Sequence, residues 1–138
     1  FCGYNFADYW SHWISFDKKT NKLPKIFHIN WFRKDNEGKF LWPGFNENLR
    51  VLRWIIDRCD EKINARETAI GFLPQANDIY TSDLDIAQQN IDELLSIDEN
   101  DWIEEINSIG KYILSFGERV PIELINEYKK LSKSLDNN

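Results

Sequence analysis

The sequence predicts an α/β chain of the mixed α+β kind, with short strands and an aromatic hairpin in its N-terminal half and helices in its C-terminal half. Apolar residues recur at helical spacing near the start of the chain and across most of residues 84–135. Between residues 25 and 73, runs rich in Ile, Phe and Trp are bounded by Gly and Pro, as is typical of short strands.

The first fifty residues predict a helix, a strand and a hairpin. Apolar positions from Phe6 to Ile14 follow the spacing of one helix face, and Lys25 to Trp31 is apolar on both alternations, which indicates a buried strand. The segment Asp35-Asn36-Glu37-Gly38 predicts a three-residue hairpin loop with Gly38 in the left-handed conformation. That register places Lys34 opposite Phe40 and Phe32 opposite Trp42. We therefore expect three rings on one face of the hairpin: Phe32, Phe40 and Trp42.

The remaining elements follow from caps and turn residues. Pro43-Gly44 predicts a turn, and Asn46 or Asn48 is expected to cap the helix that follows. The expected apolar stripe of that helix is Leu52, Ile55, Ile56 and Cys59. We then predict a strand over residues 68–73, a loop over 75–83 and a helix over 84–95. A helix capped by Asp98 and a helix that begins near Pro121 complete the chain.

Charge and composition limit the classes of function. Residues 1–54 hold nine Lys/Arg against five Asp/Glu, and residues 55–138 hold eight against eighteen, within a total of −6. The basic part is also rich in aromatic residues, which suits a planar anion such as a nucleotide, whereas the acidic part disfavours nucleic acid. No membrane span or signal peptide is predicted. Two cysteines, both expected to be buried, indicate a reducing, cytoplasmic setting.

The usual catalytic motifs are missing from the sequence. It has no GxxxxGK[ST] or GxGxxG loop, no HExxH and no paired CxxC. His12 and His28 lie on a predicted helix and a predicted strand without convergent acidic residues, which favours structural roles for both. We predict no catalytic residue and no metal ligand in this chain.

The aromatic segment from Phe32 to Asn48 is the candidate site. Five aromatic residues, counting the preceding Trp31, surround a tight loop that also carries Arg33, Lys34 and Lys39, and a run of this kind favours a ligand or partner. The alternative is that these rings belong to the core. A base held between Phe rings also needs polar contacts to fix its identity, and the Asn48 amide offers both a donor and an acceptor.

The residues around this segment carry a resemblance. Lys22 to Asp35 (KLPKIFHINWFRKD), Gly38 to Asn48 (GKFLWPGFNEN) and the shorter matches at Gly3 to Phe6 and at Glu67-Thr68 closely resemble the GTP-dependent phosphoenolpyruvate carboxykinases. The resemblance is loose after about residue 80. It implies a C-terminal piece of the nucleotide-binding domain of a larger enzyme, with a base-binding region at 1–80 and an acidic helical region at 81–138. The first residue, Phe1 rather than Met, fits that expectation.

The resemblance also implies an activity and a set of site residues. Family members convert oxaloacetate and GTP to phosphoenolpyruvate, GDP and carbon dioxide, with Mn²⁺ and a nucleotide-bound divalent ion such as Mg²⁺. Their metal ligands and phosphate loop are expected in the upstream remainder of the enzyme, so the fragment itself is expected to be inactive. The implied guanine-binding residues are Phe32, Phe40, Phe45 and Asn48, with Trp31 and Trp42 lining or buttressing the pocket.

Two departures from the family pattern concern the loop. Asn46 stands where the family usually has Gly, and we expect Asn to tolerate the left-handed backbone that this position suggests. Leu49 replaces a small polar residue. Two alternatives stay open: a stand-alone module that binds a protein or a sugar through its aromatic residues, and a degenerate relic whose rings only pack.

Overall fold

The computed structural model of the chain describes residues 3–136, apart from the side chain of Asp136. Its helices, in chain order, are α1 (Phe6–Ile14), α2 (Asn48–Cys59), α3 (Gln88–Leu94), α4 (Glu99–Leu114) and α5 (Ile122–Asp136). Its strands are β1 (Arg66–Thr68) and β2 (Gly71–Leu73). The chain divides into two compact units, one formed by Phe1–Pro24 with Asp98–Asn138 and the other by Lys25–Ile97. The mixed α/β class predicted from the sequence is confirmed.

The first unit is helical and contains α1, α4 and α5. The side chain of Asn5 accepts a hydrogen bond from Ala7 N at 2.9 Å and caps α1, and Asp98 caps α4 as predicted. The buried centre of the unit consists of Ala7, Ile113 and Val120. Around this centre pack one residue of α1, one of α4, one that follows α4 and three of α5: Trp10, Ile109, Phe116, Leu124, Ile125 and Tyr128. The predicted helices are confirmed, except that Trp13, part of the apolar stripe predicted for α1, is 53% exposed.

The second unit carries the hairpin, α2, β1, β2 and α3. Trp42, Ile79 and Ile91 form its buried centre, and Trp31 and Val51 pack against them. β1 and β2 pair as an antiparallel hairpin in which Glu67 faces Phe72. Gly71 has a φ of 120°, a value that side-chain-bearing residues rarely adopt, so glycine allows the chain to reverse at this point.

Two strand predictions and one helix boundary are wrong. Lys25 to Trp31 forms no regular element, and Ile26 is 81% exposed, because no described strand lies alongside this segment to pair with it. Residues 68–73 are not one strand but the last residue of β1 and the whole of β2, with a turn between them. The helix predicted over residues 84–95 begins only at Gln88.

The predicted apolar stripe of α2 is also wrong. Leu52, Ile56 and Cys59 are exposed, and the buried residue of the helix is Trp54, which meets Phe27 edge to face at 6.1 Å. The helix turns its Trp54 side toward its own unit because the large indole removes more apolar surface from water than the branched aliphatic residues do. Cys59 is therefore not a buried hydrophobe, and Cys2 lies outside the described residues.

Candidate nucleotide-binding site

The predicted aromatic hairpin forms with the predicted register. Lys34 and Phe40 face each other across an antiparallel bridge, and Asp35 N donates to Lys39 O at 2.9 Å. Gly38 has a φ of 79°, the left-handed value that the loop chemistry requires. The Asp35 carboxylate further tightens the loop because its Oδ1 accepts from the backbone N–H groups of Glu37 and Lys39, each at 2.9 Å.

Two phenylalanine rings project from this hairpin into solvent. Phe32 is 73% exposed and Phe40 is 50% exposed, and their ring centroids lie 6.2 Å apart in an edge-to-face arrangement. The Lys34 ammonium lies 4.8 Å from the centre of the Phe40 ring. The structure thus brings together Phe32 and Phe40 as the sequence predicted, beside a positive charge.

Trp42 does not join that exposed face, contrary to the prediction. It is only 5% exposed and belongs to the core, where its ring centroid lies 6.3 Å from that of Trp31. Side chains alternate between the two faces of a hairpin only while its strands stay paired. Here the last hydrogen bond runs from Leu41 N to Arg33 O, and the chain bends before residue 42. Trp31 and Trp42 lie behind the exposed rings rather than among them.

A tight turn presents the third phenylalanine. Gly44 has a φ of 126°, which side-chain-bearing residues rarely adopt, and the 3₁₀ turn Phe45–Glu47 follows it directly. Phe45 is 87% exposed. Asn46 lies inside the turn with a negative φ, so the expectation that it occupies a left-handed position is wrong. The left-handed residue is Gly44, two positions earlier.

Asn48 is the first residue of α2, but its side chain does not cap the helix, and neither does that of Asn46. Its Oδ1 instead accepts a hydrogen bond from Trp42 Nε1 at 3.0 Å, and its backbone N–H donates to Phe45 O. The half-buried amide of Asn48 is therefore fixed between the core and the turn that carries Phe45.

An ion-pair network, which the sequence predictions missed, anchors the same turn. The Nε of Arg50 lies 2.6 Å from Glu47 Oε2, and its Nη1 lies 2.6 Å from Asp83 Oδ1 and 2.8 Å from Tyr80 O. The hydrogen bonds to Asp83 and Glu47 raise the pKa of Arg50, and the bond from Arg50 lowers the pKa of Asp83. The spacing of Glu47 and Arg50, three residues apart at a helix start, is the signal that could have indicated their ion pair, though not the one with Asp83.

A second anchor holds the hairpin itself. The guanidinium of Arg33 donates to the carbonyl oxygens of Leu94 and Ser96 and to Ser96 Oγ, at 3.3, 2.9 and 3.0 Å. These acceptors lie at the C-terminal end of α3, where unpaired carbonyl groups favour a positive charge. Arg33 is thus occupied within its own unit, and Lys34 and Lys39 are the cations that the loop leaves exposed.

A shallow cavity of about 130 Å³ lies between α2 and the segment 77–80. Its lining includes Arg53, Trp54, Asp57 and Tyr80. The indole N–H of Trp54 is buried and has no hydrogen-bond partner among the described residues. The cavity shares Arg50 and Tyr80 with the ion-pair network, and its lining includes none of the exposed phenylalanine rings.

Neither histidine is part of this surface. His12 is exposed on α1, where its ring meets that of Phe16 at 5.0 Å, and His28 is exposed in the irregular segment before the hairpin. Within residues 3–136, no group of three or more His, Cys, Asp and Glu side chains is placed to hold a metal ion. No helix in that part of the chain is long and apolar enough to cross a membrane.

The fold and this loop together define a mixed α/β domain that exposes phenylalanine rings on a hairpin and on a turn, both held by hydrogen bonds. Residues 1–134 match a family described as the phosphoenolpyruvate carboxykinase C-terminal P-loop domain. Phosphoenolpyruvate carboxykinase (GTP) of Chlamydia trachomatis is 46% identical over 136 residues, which cover 98% of this chain and 23% of that protein. The enzymes of that name from Treponema pallidum and Neocallimastix frontalis are 50% and 46% identical over 127 and 138 residues.

This chain belongs to the family of GTP-dependent phosphoenolpyruvate carboxykinases and corresponds to part of their C-terminal domain. It spans less than a quarter of the length of these relatives, 21–23% of each. The resemblance identified in the sequence is confirmed.

Proposed function

We propose that this chain is the base-recognition part of a GTP-dependent phosphoenolpyruvate carboxykinase and that its aromatic loop binds guanine. The observation that carries the proposal is the exposure of three phenylalanine rings on segments held by hydrogen bonds: Phe32 and Phe40 on the hairpin, and Phe45 on the turn before α2. Large apolar rings exposed on a rigid support are typical of a binding surface, because burial in a core would be the more stable arrangement for them.

Stacking supplies the physical basis for this assignment. A base that stacks on an aromatic ring gains about 1–3 kcal/mol of binding free energy. Every base gains a similar amount, so stacking does not distinguish one base from another. The polar group that reads the base is the amide of Asn48, which lies three residues after Phe45 at the start of α2. Trp31 and Trp42 have a supporting role in this proposal, since both pack in the core behind the loop.

The reaction proposed for the whole enzyme is the conversion of oxaloacetate and GTP to phosphoenolpyruvate, GDP and carbon dioxide, as in gluconeogenesis. Manganese and magnesium ions belong to that reaction, but the residues described here do not fit a metal site. The metal ligands and the catalytic residues are accordingly assigned to the rest of the polypeptide. The isolated chain is expected to be inactive, and its low cysteine content supports a cytoplasmic setting.

Within the chain, we assign base recognition to residues 1–80 and an acidic, helical supporting role to residues 81–138. The stand-alone protein- or sugar-binding module is the alternative function. The family match favours the enzyme, and no observation on the loop favours the alternative. The two differ in one measurable respect, because only the enzyme assignment requires the loop to distinguish guanosine from adenosine nucleotides.

The test is a titration of the full-length enzyme with GDP and ADP, followed by tryptophan fluorescence. Phe45→Ala is expected to weaken GDP binding by about 5- to 150-fold, the equivalent of one lost stacking contact. The melting temperature should not change, because Phe45 is 87% exposed and makes no ring contact among residues 3–136.

The matched control is Phe72→Ala, which removes an exposed ring from β2 in the same unit and is expected to leave GDP affinity unchanged. Equal affinities of the unsubstituted enzyme for GDP and ADP would exclude guanine recognition. Equal losses in the two variants would show that Phe45 has no particular part in it.

A further inference from the structure

One segment of the second unit, residues 80–96, contacts the aromatic loop at both of the loop's ends. The loop runs from the hairpin that carries Phe32 and Phe40, through the buried Trp42, to the turn that carries Phe45. The 80–96 segment contains α3 and meets the loop at three places. The order of these contacts along the loop is the reverse of their order along the segment, so the two run in opposite directions.

The contact at the hairpin end is made by Arg33. Its Nη1 donates to Leu94 O at 3.3 Å and to Ser96 O at 2.9 Å, and its Nη2 donates to Ser96 Oγ at 3.0 Å. Arg33 also belongs to the hairpin ladder, since its carbonyl oxygen accepts from Leu41 N. A shift of the C-terminal end of α3 would therefore move the hairpin, and with it the neighbouring ring of Phe32.

The contact at the turn end is made by Arg50, whose side chain is 16% exposed. Its Nη1 donates to Tyr80 O at 2.8 Å and to Asp83 Oδ1 at 2.6 Å, and its Nε donates to Glu47 Oε2 at 2.6 Å. Glu47 is the last residue of the 3₁₀ turn that begins at Phe45. Because one guanidinium bonds to both sides, the position of this turn depends on that of the 80–96 segment.

Between these two ends the contact is apolar. Trp42 and Ile91 lie in the same buried centre, and Ile86 of the 80–96 segment packs against it. Among residues 3–136, no backbone hydrogen bond outside the regular elements joins residues 32–41 to residues 44–48. The distance between the hairpin rings and the ring on the turn consequently depends on side-chain contacts, and the 80–96 segment supplies such contacts on both sides.

This distance matters because a flat base between two rings fits only a gap of defined width. Carbon atoms in favourable contact lie about 3.5–4.0 Å apart, so a base stacked on both faces fits a gap of about 7–8 Å. A wider gap loses the contact with one ring. Rings that are held at the right distance before binding also avoid the entropic cost of being ordered by the ligand.

We propose that the 80–96 segment is a positioning element for nucleotide binding, which holds the hairpin rings and Phe45 at a fixed distance through Arg33 at one end and Arg50 at the other. Both arginines are positioning residues, because they act through the segments that carry the rings. The inference rests on the proposed guanine-binding function. It extends that function to the acidic part of the chain, since Asp83 becomes one of the residues on which nucleotide affinity depends.

The test measures GDP affinity and steady-state kinetics of the full-length enzyme in variants that each remove one attachment. Asp83→Asn and Arg33→Gln are expected to weaken GDP binding by about 2- to 10-fold, the effect of one lost hydrogen bond. The KM for GTP should rise by a similar factor, and the KM for oxaloacetate should not change. Asp83 is 61% exposed, so its substitution should not affect folding, and Asp83→Glu, which keeps the carboxylate, should retain most of the affinity.

A double variant distinguishes one connecting segment from two separate anchors. If the segment sets the distance, the loss of either attachment removes the constraint, so Arg33→Gln with Asp83→Asn should weaken GDP binding no more than the stronger single variant does. Separate anchors would give the product of the two losses. The matched control is Asp57→Asn, the same change in a carboxylate of α2 whose ion-pair partners are Arg53 and Lys62, and it should leave GDP affinity unchanged.

Three results would overturn the inference while guanine binding stands. They are unchanged GDP affinity in both single variants, losses that multiply in the double variant, and a loss in Asp57→Asn equal to that in Asp83→Asn. A lower melting temperature together with a higher KM for both substrates would also overturn it, because Arg33 and Asp83 would then have a general structural role. An unsubstituted enzyme without any preference for GDP over ADP would overturn the proposed function itself.

Discussion

The presentation of Phe45 depends on the backbone of the two residues that flank it. Gly44 provides the φ of 126° that reverses the chain, and Asn46 continues the 3₁₀ turn with a negative φ. An asparagine in that conformation carries no backbone strain. The departure from the family pattern at position 46 is therefore compatible with the loop that the rest of the motif forms.

Asn46→Gly gives a prediction at this scale. The substitution restores the residue usual in the family but adds conformational freedom to the unfolded chain, so it should lower stability by about 0.4–1 kcal/mol and leave GDP affinity unchanged. Thermal unfolding and GDP titration of the full-length enzyme measure the two quantities.

Gly44→Ala is the comparison variant. It places a side chain at a φ that L-residues rarely adopt, so it should weaken GDP binding by displacing Phe45. Tighter GDP binding in Asn46→Gly would contradict this account, because it would mean that position 46 needs a left-handed backbone when the nucleotide is bound.

At the scale of elements, the sequence was most informative where local chemistry decides the structure. Gly38 and Asp35 determine the hairpin loop, Asp98 begins α4, and Pro121 precedes α5, and each of these predictions is confirmed. A loop or a cap needs only residues a few positions apart, so a single sequence contains the information.

Predictions that depend on distant partners were wrong. Lys25 to Trp31 has the composition of a strand but pairs with no described strand, and Trp42 leaves the hairpin face for a core formed with Ile79 and Ile91. The face of α2 that is buried was also misjudged, since Trp54 rather than the aliphatic residues points inward. Packing partners such as these are set by tertiary structure and leave no local pattern.

The candidate site shows the same division. Phe32, Phe40, Phe45 and Asn48 were identified from the family motif, and the loop chemistry alone placed Phe32 and Phe40 together. The hydrogen bonds from Arg50 to Asp83 and from Arg33 to Ser96 join residues that lie 33 and 63 positions apart in the sequence. Neither could be predicted from spacing, although both fix the surface that presents the rings.

The contact between α4 and α5 gives a prediction for the helical unit. A Cβ at position 110 would lie 2.6 Å from Tyr128 Cζ, which is far too close, so glycine is what allows the tyrosine ring to rest against α4. Gly110→Ala is expected to destabilise the unit by about 1–3 kcal/mol despite the higher helix propensity of alanine. Thermal or urea unfolding measures this change.

Ser108→Ala is the matched control, because this residue is exposed on the same helix and its substitution should have little effect on stability. Tyr128→Leu removes the ring and should reduce the cost of Gly110→Ala in the double variant. A Gly110→Ala variant as stable as the unsubstituted protein would show that α4 and α5 do not pack in this manner.

At the scale of the whole molecule, the exposed phenylalanine rings suit the base recognition proposed for this chain. Among the described residues, no group of side chains is placed to hold a metal ion. The exposed cations of the loop are lysines, and the sequence has no glycine-rich phosphate-binding motif. The outward face of α2 is apolar, with Leu49, Leu52 and Ile56 exposed. These features fit a segment that contributes one part of a site to a protein about four times its length.

The most direct measurement is a crystal structure of the full-length enzyme with GDP bound. The guanine ring is expected to lie within about 4 Å of the rings of Phe32 and Phe45, with its polar edge at hydrogen-bond distance from the Asn48 amide. A guanine ring bound elsewhere, such as in the cavity beside Trp54 and Tyr80, with the three phenylalanine rings left free of the base, would contradict it.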